Sequence, residues 1–229
     1  MYFFFFDYKP YIAVIGDIVA SKQLEDRKTV QKQLRTTLND INEMYHEDIA
    51  SKFMITLGDE FQGLLQIGNH AFEIVEKIER EMYPTEIRFG LGVGKITTTI
   101  DPNVPLGADG PAYYNARKMI DELKSMKKKK MEPRITMKID IEDNADISEL
   151  INAVFSLNTV LKAKWTDRQR EIINAYLKCG GTQSDAAKQL GINQSNVQKA
   201  LSNADFYTYQ NVLVTVTNIL SKIREVQDD

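Results

Sequence analysis

The chain has 229 residues, 43% of them hydrophobic, which is enough for one or two folded domains with a substantial core. Its formal net charge of −3 excludes a protein that binds polyanions over its whole surface. Cys179 is the only cysteine, which excludes an intrachain disulfide and indicates a reducing compartment, so we predict a cytoplasmic protein.

The first ten residues, MYFFFFDYKP, are too few to span a bilayer and lack the basic start of a signal peptide. We expect no membrane contact, and an edge strand or an interface-covering arm at this end. The apolar run at 11–21 is typical of a strand buried on both faces. A helix is predicted over 24–45, where apolar residues recur at helical spacing at Val30, Leu34, Leu38, Ile41 and Met44.

Residues 53–65, FMITLGDEFQGLL, contain two short apolar runs on either side of Gly-Asp-Glu. This pattern predicts a β-hairpin with the adjacent carboxylates Asp59 and Glu60 at its tip. Asp17 comes at the end of the first strand, where a buried charge is costly unless it is paired or bound to a metal. In a β-α-β-β fold Asp17 and Asp59 would be neighbours that could hold a divalent cation. Ordinary turn chemistry at the hairpin tip is the alternative.

The first part of the chain continues as a helix at 69–82, a strand at 86–100, a Pro- and Gly-rich break at 101–110, a helix at 112–124 and a strand at 134–141. The order β-α-β-β-α-β-α-β predicts an α/β fold of the α+β type, with helices packed on a mixed sheet. Acidic residues at 142–146 precede a purely helical remainder. We therefore predict an α/β domain over 10–142 and an all-α domain over 148–229.

The helical remainder has the residue spacing of a helix-turn-helix. Thr166 is predicted to cap one helix together with Gln169, and the glycines at 180 and 181 end it. Counted from Gln183, small and apolar residues fall where two crossing helices need them, at Ala187, Gly191, Val197 and Ala200.

The second helix of this motif is predicted to expose amides and hydroxyls suited to base edges and phosphates in a major groove. With the flanking cations, the candidate DNA-binding residues are Gln194, Ser195, Asn196, Gln198, Lys199, Lys188 and Arg168, and Lys164 and Arg170 add positive charge nearby. The alternative is a helical pair that only packs or binds protein. A last apolar helix over 206–226 indicates either a dimer contact or packing on the first domain.

Several motifs resemble known families. LGDEFQGLL differs by one residue from the signature of GGDEF diguanylate cyclases, and GADGPAYYNAR is similar to a stretch near the end of that domain. GDIVAS and RFGLGVG are similar to motifs of class III nucleotidyl cyclases, and residues 165–204 resemble the tetrahelical helix-turn-helix of sigma-factor region 4. In its full arrangement the chain resembles SatD-family proteins, which join such a cyclase-like domain to a C-terminal helix-turn-helix.

The resemblance to cyclases implies a ferredoxin-like palm that uses metal ions on a nucleoside triphosphate. By position it implies Asp17 and Asp59 as ligands of Mg²⁺, Glu60 and Arg117 as candidate catalytic residues, and Gly58, Asn115 and Arg117 as nucleotide-binding residues. Leu57 replaces the first glycine of the GGDEF signature, and Ile55 stands at the position of the purine-selecting lysine of class III cyclases. Catalytic turnover is therefore left open.

These features predict a DNA-binding transcription regulator that acts as a homodimer on double-stranded DNA. Its first domain is predicted to bind a nucleoside triphosphate or cyclic nucleotide with Mg²⁺, or to serve as a dimerisation platform. The alternative is a cyclase-like enzyme that processes a nucleotide and carries the helix-turn-helix as an accessory.

Overall fold

A computed structural model describes residues 6–128 and 135–223. They form five strands, β1 (Tyr11–Ile18), β2 (Ile49–Leu57), β3 (Glu60–Leu65), β4 (Ile87–Gly94) and β5 (Met137–Ile141). Eight α-helices accompany them, α1 (Arg27–Met44), α2 (Ala71–Met82), α3 (Pro111–Lys128), α4 (Ala145–Ala163), α5 (Asp167–Lys178), α6 (Gln183–Leu190), α7 (Gln194–Asn203) and α8 (Phe206–Leu220). The predictions for residues 1–5 and 224–226 lie outside the described residues.

The five strands form one mixed sheet in the order β2-β3-β1-β4-β5. The first four strands are antiparallel, and β5 joins β4 in parallel after the crossover through α3. The β-α-β-β-α-β unit with β1 between β3 and β4 is the ferredoxin-like arrangement, so the predicted fold class is confirmed.

Helices α1, α2 and α4 pack on one face of the sheet and α3 packs on the other. The approach of α3 is close because a Cβ atom at Gly90 would lie 2.2 Å from the carbonyl oxygen of Ala116, and one at Gly92 would lie 2.1 Å from that of Ala112. Any larger residue would push α3 away. The alternating glycines of β4 therefore serve helix packing.

The fourth strand is shorter than predicted. It ends at Gly94, which pairs with Tyr11, the first residue of β1, so the chain beyond it has no strand to pair with on that side. The following residues bond instead to the loop before α3, where the amide of Thr97 donates to the carbonyl of Asp109. This loop covers part of the sheet face that α3 leaves open, and the side-chain amide of Gln62 donates to the carbonyl of Pro105. Met44, at the end of α1, is 58% exposed although it follows the apolar spacing of that helix.

The helical part has its own core, formed by α5, α6, α7 and the start of α8. Phe206 is fully buried there, with Trp165, Tyr176 and Tyr209 packed around its ring. Helix α4 and the second half of α8 instead contribute Ile151, Phe155, Val216 and Leu220 to the core beneath the sheet. Packing on the α/β part thus explains the face of the last helix that carries Val216 and Leu220, whereas Val214 is exposed. The boundary between the two predicted domains remains a prediction.

Candidate functional site

The tip of the β2–β3 hairpin is fixed against the start of α1. Gly58 occupies the left-handed region with φ of 67°, which permits a tight turn between the strands. Its carbonyl oxygen accepts a hydrogen bond of 2.6 Å from Nε2 of Gln31. The carboxylate of Asp59 accepts a hydrogen bond from the hydroxyl of Ser21, which lies in a short 3₁₀ helix. Asp59, in the turn, therefore has a hydrogen-bond partner outside the hairpin.

Asp17 lies opposite Glu60 on β3 and opposite Arg88 on β4. In antiparallel strands, residues that are directly opposite point to the same face, so these three side chains share the face covered by α3. The Asp17 carboxylate is 8% exposed; it contacts the guanidinium of Arg88 and lies 3.4 Å from Nζ of Lys124. Its buried charge is compensated from within the chain.

Glu60 is paired with Arg117 from α3. The guanidinium donates two parallel hydrogen bonds of 2.6 Å, one to each carboxylate oxygen. This bidentate geometry is the strong form of the ion pair, and the hydrogen bond with Glu60 raises the pKa of Arg117. The two predicted catalytic candidates are therefore brought together, although as partners of each other.

The carboxylates do not fit a Mg²⁺ site in this arrangement. Asp17, Asp59 and Glu60 are already engaged by Arg88, Lys124, Ser21 and Arg117. A divalent cation would have to displace cations that lie within contact distance, at an electrostatic cost. Within residues 6–128 and 135–223, no group of three or more His, Cys, Asp or Glu residues is placed to hold a metal ion.

The predicted nucleotide-binding residues are not assembled into one pocket. Nδ2 of Asn115 donates to the carbonyl of Val93, which lies five residues along β4 from Arg88, or roughly 16 Å. Gly58 is at the hairpin tip next to Asp59, and of the three residues Arg117 is the one whose side chain contacts a carboxylate. Tyr113, beside Asn115, is buried, so its ring is not available to stack on a base.

The helix-turn-helix prediction is confirmed at the backbone level. Thr166 and Gln169 form the capping box that begins α5, and Gly191 ends α6 in the left-handed conformation with φ of 64°. Val197 and Leu201 of α7 are fully buried against the preceding helices. All five candidate side chains of α7 are exposed, namely Gln194, Ser195, Asn196, Gln198 and Lys199.

Fewer free cations surround α7 than the number of Lys and Arg residues in this part of the sequence indicates. Lys188 and Arg168 are exposed, and Arg168 pairs with Glu171 on its own helix. The prediction that Arg170 contributes to this surface is wrong, because its guanidinium lies over the rings of Tyr83 and Trp165. It packs inward because the planar guanidinium gains more from two aromatic faces than from water.

A polar junction joins α2 to the helical part. Lys162 of α4 is 8% exposed, lies 3.1 Å from the carboxylate of Glu76 and contacts that of Glu79. The hydroxyl of Tyr209 also donates to Glu76. A cavity of about 500 Å³ opens beside this network. Glu76 and Glu79 fall on the polar positions of an amphipathic helix, so the sequence alone did not mark them as partly buried partners of Lys162.

Comparisons with known proteins give one family match and several distant structural likenesses. A bacterial light-regulated adenylyl cyclase shares 13% identity over 69% of this chain and 81% of its own, with a TM-score of 0.44. The guanylate cyclase domain of RhGC from Catenaria anguillulae, solved with GTP, shares 17% identity over 49% and 72%, with a TM-score of 0.38.

A regulator of polyketide synthase expression from Bifidobacterium adolescentis shares 14% identity over 92% of this chain and 79% of its own, with a TM-score of 0.29. A comparison with curated protein sequences found no match. No helix in the described parts of the chain is long and apolar enough to cross a membrane. The SatD family model matches residues 11–220, nearly the whole sequence, and the chain therefore belongs to the SatD family.

Proposed function

We propose that the chain is a DNA-binding transcription regulator in which α7 enters the major groove of double-stranded DNA. The observation that carries this proposal is the division of α7 into two faces. Val197 and Leu201 are buried against the preceding helices, while the opposite face exposes short polar side chains and Lys199. Amides and hydroxyls on a helix of this kind can reach base edges and phosphates.

We expect contacts between cations and phosphates to contribute only a modest part of the free energy of DNA binding. Arg168, Lys188 and Lys199 are the candidate cations that face outward around α7. With roughly three phosphates neutralised per copy, the logarithm of affinity should fall with the logarithm of salt at a slope of about −2.7 per copy. Polar contacts to bases must then supply much of the specific affinity.

The α/β domain is assigned the role of a dimerisation platform in this proposal. Arg88, Lys124 and Arg117 hold the carboxylates of Asp17 and Glu60, and the hydroxyl of Ser21 holds that of Asp59. These contacts leave the carboxylates poorly suited to take up Mg²⁺ with a nucleotide. Calorimetric titration of ATP and GTP with Mg²⁺ should therefore give no heat that depends on Asp59. Binding that is present in the wild type and lost in Asp59→Asn would contradict this role and favour the nucleotide-processing alternative.

The DNA proposal is tested by selection from a pool of duplexes with a randomised centre, followed by fluorescence anisotropy on the enriched sequences. Gln198→Ala should cost about 1–3 kcal/mol on those sequences and relax the preference at one position. Lys199→Ala should weaken binding evenly across sequences and reduce the salt slope by about one. Lys28→Ala, which removes an exposed charge from α1, is the control and should leave binding unchanged.

The absence of any bound duplex at low salt would contradict the proposal. So would binding that survives the loss of both Gln198 and Lys199, because the contact would then lie elsewhere. In either case the helical part would be reassigned to protein assembly.

A further inference from the structure

Helix α4 carries an apolar stripe on its outer side. Between residues 150 and 163, every exposed side chain of α4 is apolar. Leu150 is 63% exposed, Leu157 is 68% exposed and Val160 is 40% exposed, with Ala153 between them. Isolated surface leucines are common, but a continuous stripe of this kind marks an interaction surface.

The spacing of the stripe is that of a coiled-coil seam. Leu150, Ala153, Leu157 and Val160 are separated by three, four and three residues, which is the alternation of a and d positions in a heptad. The same alternation places Asp146 before the stripe and Lys164 after it. A seam of this period is complementary to another helix that has the same period.

The charges at the two ends define the direction of the pairing. Asp146 and Lys164 are exposed, and neither side chain has an ion-pair partner within the described ranges 6–128 and 135–223. In a parallel pair of α4 helices, like charges would face each other at both ends, which is unfavourable. In an antiparallel pair, each Asp146 faces the partner subunit's Lys164, and the helix dipoles also oppose each other.

We propose that α4 pairs with α4 of a second copy of this chain, antiparallel and about a two-fold axis at the level of Phe155. Leu150 then faces the partner subunit's Val160, and Ala153 faces the partner subunit's Leu157. Each layer joins an a position to a d position, as antiparallel packing requires. The inference rests on the dimerisation role in the proposed function and locates the contact on α4, which packs beneath the sheet of the α/β part although most of it lies in the predicted all-α range. Its test involves no DNA, so the two can fail separately.

The arrangement places the helix-turn-helix modules on opposite sides of the axis. Since α4 rises about 1.5 Å per residue, the two copies of Ala163 would lie roughly 24 Å apart along the helix direction. Three residues separate the end of α4 from the start of α5 in each copy. For a dimer that reads two half-sites about 34 Å apart on one face of DNA, the path from Ala163 to α7 must add roughly 5 Å per copy along this direction.

The test is sedimentation velocity on the full chain over a range of concentrations. The wild type should show a reversible dimer, and Leu157→Glu should raise its dissociation constant by roughly tenfold or more, because two carboxylates enter an apolar seam. Leu106→Glu is the matched control, since Leu106 is 54% exposed in the loop before α3 and should leave the dimer unchanged. Circular dichroism should show both variants folded.

A charge exchange tests the direction. Asp146→Lys alone and Lys164→Asp alone should each weaken the dimer by placing like charges face to face, and the double variant should restore it. A wild type that is monomeric at every concentration, or a dimer that Leu157→Glu leaves intact, would overturn the proposal. A double variant that is no tighter than the single variants would overturn the antiparallel arrangement.

Discussion

Asp17 shows how a single buried charge can be kept in a strand without a metal. Its carboxylate is nearly buried, so ionisation is costly unless cations or donors lie close to it. Arg88 on the neighbouring strand and Lys124 on α3 provide that compensation. Two carboxylates that served as metal ligands would instead destabilise the fold without the metal, because they would repel each other.

This difference gives a test at the level of one residue. Asp17→Asn should destabilise the protein by about 3 kcal/mol in the presence of a chelator, since it leaves Arg88 buried without its partner. The measurement is urea denaturation, with Asp40→Asn on the exposed side of α1 as a control expected to change stability by no more than about 0.5 kcal/mol. A variant that is as stable as the wild type, or more stable, would instead indicate a metal ligand.

The structural roles that were predictable from sequence depend on interactions between residues close together in the chain. Gly191 and the Thr166 capping box follow from the chemistry of a few neighbouring positions, and the structure confirms both. The partners of Asp17 were missed because they depend on strand register and on how α3 crosses the sheet. One signal was present, because Arg88 is the only charged residue in the strand sequence IRFGLGVG.

At the level of elements, α2 and α4 are joined by a buried ion network. Burial works to lower the pKa of Lys162, but the charges of Glu76 and Glu79 outweigh it and raise that pKa. Burial raises the pKa of Glu79. The lysine therefore stays charged between two carboxylates, with Tyr209 of α8 completing the hydrogen bonding of Glu76.

Removing the positive charge of Lys162 should lower the free energy of unfolding, because the carboxylates around it are partly buried. Lys162→Met removes the cation that contacts both Glu76 and Glu79 and leaves Arg170 as the cation that acts on Glu79. The loss should destabilise the protein by about 3 kcal/mol. Adding Glu76→Gln and Glu79→Gln to the same chain should recover most of the loss, because the two carboxylates that had lost their cation are then neutral. Thermal unfolding measures both effects, with Lys28→Met as the surface control. A loss below about 1 kcal/mol for Lys162→Met would contradict a compensated buried network.

The helices and strands were predictable where the hydrophobic periodicity is strong. The prediction failed where contacts with other elements decide where a strand ends or which face of a helix is buried. The order of strands and helices through β5 follows the predicted order, whereas β4 ends six residues before the predicted strand does. Helix α8 was apolar on several faces, which left dimer contact and internal packing open. The structure shows Val216 and Leu220 in the core beneath the sheet.

At the level of the whole molecule, alkaline stability depends on groups spread over both faces of the sheet and the helical part. Burial is the leading cause that raises the pKa of Tyr8, Tyr45, Tyr113 and Tyr209, and Lys162 also has a raised pKa. These groups keep their protons in the folded chain when the unfolded chain releases them. Stability is therefore intact below about pH 10 and falls as the pH rises further.

Tyr113 offers the cleanest test of this behaviour. Its hydroxyl is buried and makes no hydrogen bond within the described part of the chain, so Tyr113→Phe removes a titrating group without breaking a contact. The variant should match or exceed the wild type at neutral pH. Above pH 10 the free energy of unfolding of both proteins should fall with pH, and the slope for the variant should be smaller by about 1.4 kcal/mol per pH unit. Unfolding measured at several pH values gives both slopes. An unchanged slope would contradict a raised pKa.

Helix α4 has one further consequence if it pairs as proposed. Only Lys164, Trp165 and Thr166 separate it from α5, so its length works as a ruler for the distance between the two recognition helices. One added heptad between Val160 and Lys164 would lengthen each arm by about 10 Å and the whole span by about 21 Å. Relatives with a longer α4 should then read half-sites that are spaced further apart and should lack the contact of Lys178 on α5 with Glu81 on α2, with no change in α7 itself.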